Sequence, residues 1–333
     1  MRQFFARRWF LIVLVAVLTV GIAVPAGVKA ATDWIPKEAA VALVLFLMAV
    51  SLDSSRLWKA FRTPWPALLA VGINYVALPW MAWGLSRFQA TPDFQVGLIV
   101  AGCVPCTLAS AAVWTRKAGG DDAVALLVTL STNLMCFVVT PMWLVAMVGR
   151  TIELDALVLM RKLALTVLTP TVFGQLLRMN RPIAERATRW KTALGVAGQS
   201  VILLVVLMGA GDVGVRLRAL DGGMVWLDFA WVVVACLAVH IGALAIGVAS
   251  ARGLGFGLPQ QAAVAFASSQ KTLPIGLLLT TSPAYFGADY PMSILPMVVY
   301  HVSQLVVDTF VAQQFASRAE RVDVEISAAE ISD

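Results

Sequence analysis

The chain has 333 residues, of which 60% are hydrophobic and 13% charged, and it carries a net charge of +6. Its mean hydropathy is +0.84. Soluble domains carry about 25% charged residues, so this composition excludes an ordinary water-soluble domain and points to an all-α, polytopic integral membrane protein. The excess of positive charge sits between apolar runs, where it reports topology and gives no support for a nucleic-acid partner.

Runs of about 20 apolar residues recur along the chain, each long enough to cross a bilayer. The predicted spans lie near 9–27, 38–52, 65–85, 94–115, 123–148, 157–177, 193–213, 226–250, 260–281 and 290–314, ten in all. The first follows Arg2, Arg7 and Arg8 and has the basic start and small residues of a signal peptide. Its apolar run is long for one, and its removal leaves an odd helix count, so it is read as a membrane helix. Spans one and two are almost purely apolar. Span three holds Asn74 with Pro79 nearby, and span four packs small, hydroxyl and proline residues between Gly102 and Ala112. Span five carries Thr129, Ser131, Thr132 and Asn133, and span eight His240. Span nine holds Ser268, Ser269, Gln270, Lys271 and Thr272, and span ten His301, Ser303, Gln304, Asp308 and Thr309. A single Ser or Thr in a helix commonly bonds to its own backbone. The weight therefore falls on the concentration of polar groups around spans four, nine and ten.

Sixteen of the 25 Lys and Arg residues fall in segments 1–8, 53–64, 116–122, 178–192, 251–259 and 315–333, Arg56 and Lys59 among them. Eight, including Lys29, Lys37 and Arg150, fall on the other side, and Lys271 completes the count. The positive-inside rule then puts both termini in the cytoplasm, and the lack of extended loops suits a bacterial inner membrane. Residues 317–333 form a short acidic tail, read as a solvated, disordered end. The chain is one membrane domain. Five spans precede residue 150 and five follow, so similar halves (9–150 and 151–316) stand in opposite orientations, the inverted-repeat plan of many secondary transporters.

Lys271 dominates the search for a site. A cation at membrane depth costs roughly 2.5–3.5 kcal/mol on insertion scales and persists where it faces a protein interior or a water-filled cavity. The alternatives are a lysine that snorkels to an interface or pairs a carboxylate for structure. Spans four and nine are the fourth of each half, and both concentrate Pro, Ser and Thr at mid-membrane depth. Two interrupted helices in corresponding places are the best sequence pointer to a transporter's binding site. The candidate lining is Thr107, Ser110, Ser268, Ser269, Gln270, Lys271 and Thr272. Asn74, Thr132, Asn133, His301, Gln304 and Asp308 form a supporting polar core. Cys103-Val104-Pro105-Cys106 has CxxC spacing, but all four cysteines lie within spans and read as packing residues. No metal ligand set, cofactor motif or nucleophile with an adjacent base is legible, so the chain is not read as an enzyme. His301, beside Tyr300, is read as making a helix–helix hydrogen bond.

Several motifs resemble the bile acid:sodium symporter superfamily, in its divergent sodium/bile-acid-cotransporter-like branch. They are Gly102 to Ser110 with Lys117 to Asp121, Leu130 to Pro141, Ser269 to Gly276, and Tyr300 to Gln304. The resemblance implies a panel domain (helices one, two, six, seven) and a core domain (helices three, four, five, eight, nine, ten). It also implies that helices four and nine are unwound and cross beside the ion and substrate sites. Better-known members pair a Ser-Asn dipeptide on helix four with a Glu-x-Gly-x-Gln-Asn run on helix nine to bind two sodium ions. Here Ser110 and Gln270 are kept, while Ala111 replaces the asparagine, Phe266 the glutamate and Lys271 the second asparagine. Val124 and Val128 stand where helix five offers hydroxyls, and Asn74 replaces a glutamine. An ammonium group can occupy an ion's place and donate three hydrogen bonds, so Lys271 is expected to substitute for at least one sodium ion. Asp308 is a candidate counter-charge.

The expected function is secondary active transport of a small organic solute, an organic anion in the leading reading. Sodium coupling is expected to be reduced or replaced, with a sodium ion or a proton as the candidate coupling ion. The rival is a non-transporting membrane regulator or sensor that binds a solute or a partner protein.

Overall fold

A computed structural model describes residues 2–53, 62, 64–108, 110–149, 154–219, 226–282 and 284–332, with side chains from residue 9 to residue 321 of these. Arg56, Lys59, Arg150 and Asp333, and the side chains of Arg2, Arg7 and Arg8, lie outside the described residues.

In a bilayer no water satisfies backbone N–H and C=O groups, and helices satisfy them locally. Among the described residues every regular element is helical. In chain order they are α1 (Arg2–Ala23), α2 (Pro25–Thr32), α3 (Lys37–Ser51), α4 (Trp65–Ser86), α5 (Pro92–Cys103), α6 (Ser110–Lys117) and α7 (Asp122–Val148). Then follow α8 (Ala156–Arg178), α9 (Arg181–Arg189), α10 (Lys191–Ala219), α11 (Trp226–Gly253), α12 (Leu258–Ser269), α13 (Leu273–Thr281) and α14 (Ile294–Ser332). Among the described residues seven stretches are long and apolar enough to cross a membrane, α12 and α13 counting as one, and the bent pair of α1 and α2 makes an eighth. Two of the ten predicted spans contain helices too short to count alone. At about 1.5 Å per residue the 15 residues of α3 and the 12 of α5 fall short of a hydrocarbon layer ~30 Å thick. The first span, drawn straight to residue 27, instead turns by 104° at Val24, just before Pro25. Beyond residue 317 the chain stays helical to Ser332, where the sequence suggested an irregular tail.

Packing follows small residues. α1, α3 and α10 pack together, as do α3 and α8, and Gly214 of α10 lies so close to α1 that a Cβ there would meet Ile22 O at 2.7 Å. α12 packs against α4, α6, α7 and α11, and the most apolar window of the α12–α13 stretch is entirely buried. α5 is pressed onto the start of α14: a Cβ on Gly97 would overlap the backbone oxygen of Ser293 and approach Pro296. Gly97→Val is therefore expected to destabilise the protein by about 1–3 kcal/mol through overpacking against backbone, read as a lower melting temperature in detergent. An unchanged melting temperature counts against this contact.

Among the described residues two helices carry a single π-turn, at Ile73–Ala77 in α4 and Ala164–Leu168 in α8. Each ends two residues before a proline, Pro79 or Pro170. Proline has no N–H to donate and its ring crowds the preceding turn, so the helix widens there. In α4 the Leu78 amide bonds Ile73 O. Pro79 follows with no N–H, so the carbonyl of Asn74 is left for a donor from elsewhere.

Candidate functional site at two touching helix breaks

α5 ends where Val104 turns extended (φ −69°, ψ 155°). A residue before proline avoids the helical region, and Pro105 follows. α12 ends in the same way, with Gln270 extended (φ −77°, ψ 142°) and the helix resuming at Leu273, with Pro274 in its first turn. The two breaks meet directly, because the Thr272 amide donates to Pro105 O at 2.9 Å.

An interrupted helix frees carbonyls that must find donors within the protein. On the first break, Cys103 O accepts from Thr140 Oγ1 (2.9 Å), Val104 O from Lys271 Nζ (2.8 Å), Cys106 O from Asn133 Nδ2 (2.8 Å) and Thr107 O from Thr129 Oγ1 (3.1 Å). The Cys106 amide donates to Thr132 Oγ1 at 3.3 Å. On the second break, the Asn74 amide nitrogen donates to Ser268 O (2.9 Å) and Gln270 O (3.2 Å), and Tyr300 Oη to Ser269 O (2.7 Å). Gln304 clamps the extended Lys271, accepting from its amide at 2.9 Å and donating to its carbonyl at 3.1 Å. α4, α7 and α14 thus supply the hydrogen bonds that the broken helices lack.

The side chain of Lys271 is fully buried. Its ammonium donates to Asn74 O (2.7 Å), Asn74 Oδ1 (3.0 Å) and Val104 O (2.8 Å), and lies 5.7 Å from the centre of the Tyr75 ring. An ammonium has three donors, and all three are used. The carbonyl orphaned by Pro79 is one acceptor, and a carbonyl freed by the first break is another. Every oxygen around this cation is neutral.

Asp308, the candidate counter-charge, does not bond the lysine. Its carboxylate accepts from Gln270 Nε2 at 2.5 Å and faces His240 Nε2 at 2.9 Å, and both Asp308 and His240 are fully buried. The other ring nitrogen of His240 lies 3.3 Å from Ser269 O. Gln270 Oε1 accepts from Thr107 Oγ1 (3.1 Å) and Ser110 Oγ (2.7 Å). One hydrogen-bonded chain therefore runs from the first break through Gln270 to Asp308 and His240.

Of the residues singled out in the sequence, the structure brings together Asn74, Thr107, Ser110, Thr132, Asn133, Gln270, Lys271, Gln304 and Asp308. The hydroxyls of Ser268 and Ser269 turn back to Ala265 O and Phe266 O, and these residues serve the site through their carbonyls. Thr272 Oγ1 and Asn133 Oδ1 are buried without a protein partner. His301 bonds Gln304 within α14 at 2.9 Å, so its bond is within one helix and the inter-helix bond comes from Tyr300. Thr129 and His240 stood out in their spans and Tyr300 in a motif without being assigned to the site, and Tyr75 carried no signal of its own. A lone histidine in an apolar span was one such signal. All four cysteines are buried free thiols, and no group of three or more His, Cys, Asp or Glu able to hold a metal is present among the described residues.

A second feature opens beyond the far end of α13. A cavity of about 780 Å³ is lined by Lys29, Lys37, Glu38, Asp212, Arg216 and Thr281 among others. Asp212 is held by Lys29 (2.8 Å) and Lys37 (2.6 Å), Lys37 also donates to Thr281 O (2.8 Å), and Ser282 bonds Glu38. Thr281 lies eight residues from Leu273, about 12 Å along the helix at 1.5 Å per residue.

Buried helix breaks that touch around an internal cation define the class: a polytopic membrane protein of the transporter kind. The model of the SBF-like CPA transporter family matches residues 8–317, and the chain belongs to that family. The motif resemblance to the bile acid:sodium symporter superfamily is thereby shown. The chain is 27% identical to Uncharacterized protein PA2026 of Pseudomonas aeruginosa, over 93% of each chain. It is 28% identical to Uncharacterized sodium-dependent transporter YocS of Bacillus subtilis, over 78% of this chain and 76% of that one. With Sodium/bile acid cotransporter 7 of Rattus norvegicus it shares 24% identity, over 80% and 78%. The protein is an integral membrane transporter, embedded in lipid and acting on a small solute.

Proposed function

We propose that the protein is a secondary active transporter of a small organic anion, working by alternating access, in which Lys271 permanently occupies the place of one coupling cation. The observation that carries this reading is the ammonium held by three neutral oxygens where two helix breaks touch. Its ligands are what a sodium ion would use, and by the motif resemblance it stands where better-known members carry an asparagine. In this reading α5–α6 and α12–α13 are the crossing fourth and ninth helices of two inverted five-helix repeats. The panel comprises helices one, two, six and seven (α1–α2, α3, α8 and α10), and the core comprises α4, α5–α6, α7, α11, α12–α13 and α14. Both termini face the cytoplasm of a bacterial inner membrane.

The N-termini of α6 and α13 lie at the breaks, and with Lys271 they give positive potential for a carboxylate or sulfate. The names of YocS and of cotransporter 7 favour sodium as the ion in relatives. Here Thr272 Oγ1 and Asn133 Oδ1 remain for at most a residual cation. The His240–Asp308 pair joins Lys271 as a candidate for moving a proton.

The test is solute uptake into proteoliposomes, after a thermal-shift screen against organic anions with and without sodium. Weak sodium stimulation together with uptake driven by a pH gradient is the expected result. Steep dependence on two sodium ions would overturn the lysine's role as an ion substitute. Binding of a solute with no counterflow would return the chain to the sensor reading.

A further inference from the structure

Away from the crossing, α11 and α14 leave a groove of about 670 Å³ between them, with an apolar wall and two arginines. The helices run in the same direction, since Cys236 meets Pro296 and, further along both helices, His240 meets Asp308. Along α11 the groove runs from Ile241 to Arg252, and along α14 from Val307 to Arg318. Each stretch advances eleven residues, about 16 Å at 1.5 Å per residue. That is roughly half of a hydrocarbon layer ~30 Å thick, the depth of one leaflet. Val248, Val311 and Phe315 form the wall, and exposed Ala245 and Ala249 leave the space. No carboxylate lines the groove, and neither Arg252 nor Arg318 has an ion-pair partner among the described residues. Arg318 also lines a smaller adjoining cavity with Arg321.

We infer that this groove binds an anionic phospholipid, one acyl chain lying between α11 and α14 and the headgroup phosphate between Arg252 and Arg318. Any lipid can cover an apolar wall. Two unpaired guanidiniums at one end of a leaflet-deep groove select one with net negative charge, since a guanidinium binds phosphate through paired N–H donors. The groove wall is continuous with a small core in which Phe315 packs on Phe266 of α12, with ring centres 6.2 Å apart. A seated lipid therefore braces the back of α12, the helix that leads into Gln270 and Lys271. The site is independent of which solute or ion the transporter uses.

The test is native mass spectrometry of the full chain released from nanodiscs of equal phosphatidylglycerol and phosphatidylcholine. Wild type is expected to retain phosphatidylglycerol at least fivefold over phosphatidylcholine. Arg252→Ala/Arg318→Ala is expected to lose that preference. Ala245→Trp, which fills the groove and keeps both arginines, is expected to lose bound lipid altogether. Each variant's melting temperature is measured in parallel, and Arg252→Lys/Arg318→Lys is expected to keep partial preference, which separates binding from folding. Equal retention of the two lipids by wild type, or phosphatidylglycerol preference surviving in both the double alanine and the tryptophan variants, overturns the proposal. So does displacement of the lipid signal by free glycerol phosphate at matched concentration, because the groove then selects a soluble phosphate.

Discussion

Lys271→Ala is expected to abolish solute flux and to destabilise the protein by about 3–5 kcal/mol. The ammonium satisfies three buried oxygens, and each buried acceptor left without a donor costs about 1–3 kcal/mol. Neither backbone carbonyl has a replacement donor in its own helix, because Asn74 O is orphaned by Pro79 and Val104 O by the break itself. The variant carries a sharper signature than loss alone. With the ammonium gone, the same oxygens can hold a monovalent cation, and a ligand that binds only the folded state stabilises it in proportion to the logarithm of its concentration. The melting temperature of Lys271→Ala should therefore rise with sodium chloride and stay flat with choline chloride, while wild type responds to neither. A variant with unchanged stability and unchanged flux removes the lysine from the mechanism. A variant that is unstable yet blind to sodium keeps the lysine as a structural tie and rejects its role as an ion substitute.

Asp308→Asn is expected to cost about 2–4 kcal/mol and to reduce flux at least tenfold. The carboxylate faces two nitrogens, Gln270 Nε2 at 2.5 Å and His240 Nε2 at 2.9 Å. A carboxamide offers one acceptor oxygen in its place and turns a donor towards the other nitrogen, and a broken buried polar network costs more than its separate bonds suggest. Gln270 would lose its anchor, and with it the grip of Thr107 and Ser110 on Gln270 Oε1. A double-mutant cycle with His240→Ala separates the two parts: a coupling energy above about 1 kcal/mol identifies Asp308 and His240 as one unit. Additive effects would show that the carboxylate acts through Gln270 alone. The uptake-against-pH profile decides whether the pair moves a proton. A profile unchanged in Asp308→Asn, after normalising for the amount folded, assigns the pair to structure.

Much of this arrangement was legible along the chain, because membranes make polar residues conspicuous. Lys271 stood out as a buried cation in an apolar run, and Pro105 and Pro274 marked helices that could not continue unbroken. Asn74 and Pro79 were noticed as neighbours, but not the consequence of their spacing, a π-turn whose carbonyl has no donor in its own helix. Whether Asp308 meets Lys271 could not be read along the chain, where two opposite charges are only candidate partners; in the fold the lysine is satisfied by neutral oxygens and the carboxylate by a histidine and an amide. The geometry of the first span also escaped the hydropathy pattern, which is blind to the 104° turn at Val24.

Composition and the order of apolar runs determined that this chain is a helical membrane protein, and its motifs determined the family. These are local properties, set by the need of each segment to satisfy its own backbone in lipid. What binds Lys271 was decided only in three dimensions. Its acceptors are 167 and 197 residues away along the chain, and nothing in a one-dimensional pattern brings Asn74, Val104 and Lys271 to one point. Tertiary packing does so because two broken helices cannot remain in a membrane unless each supplies what the other lacks.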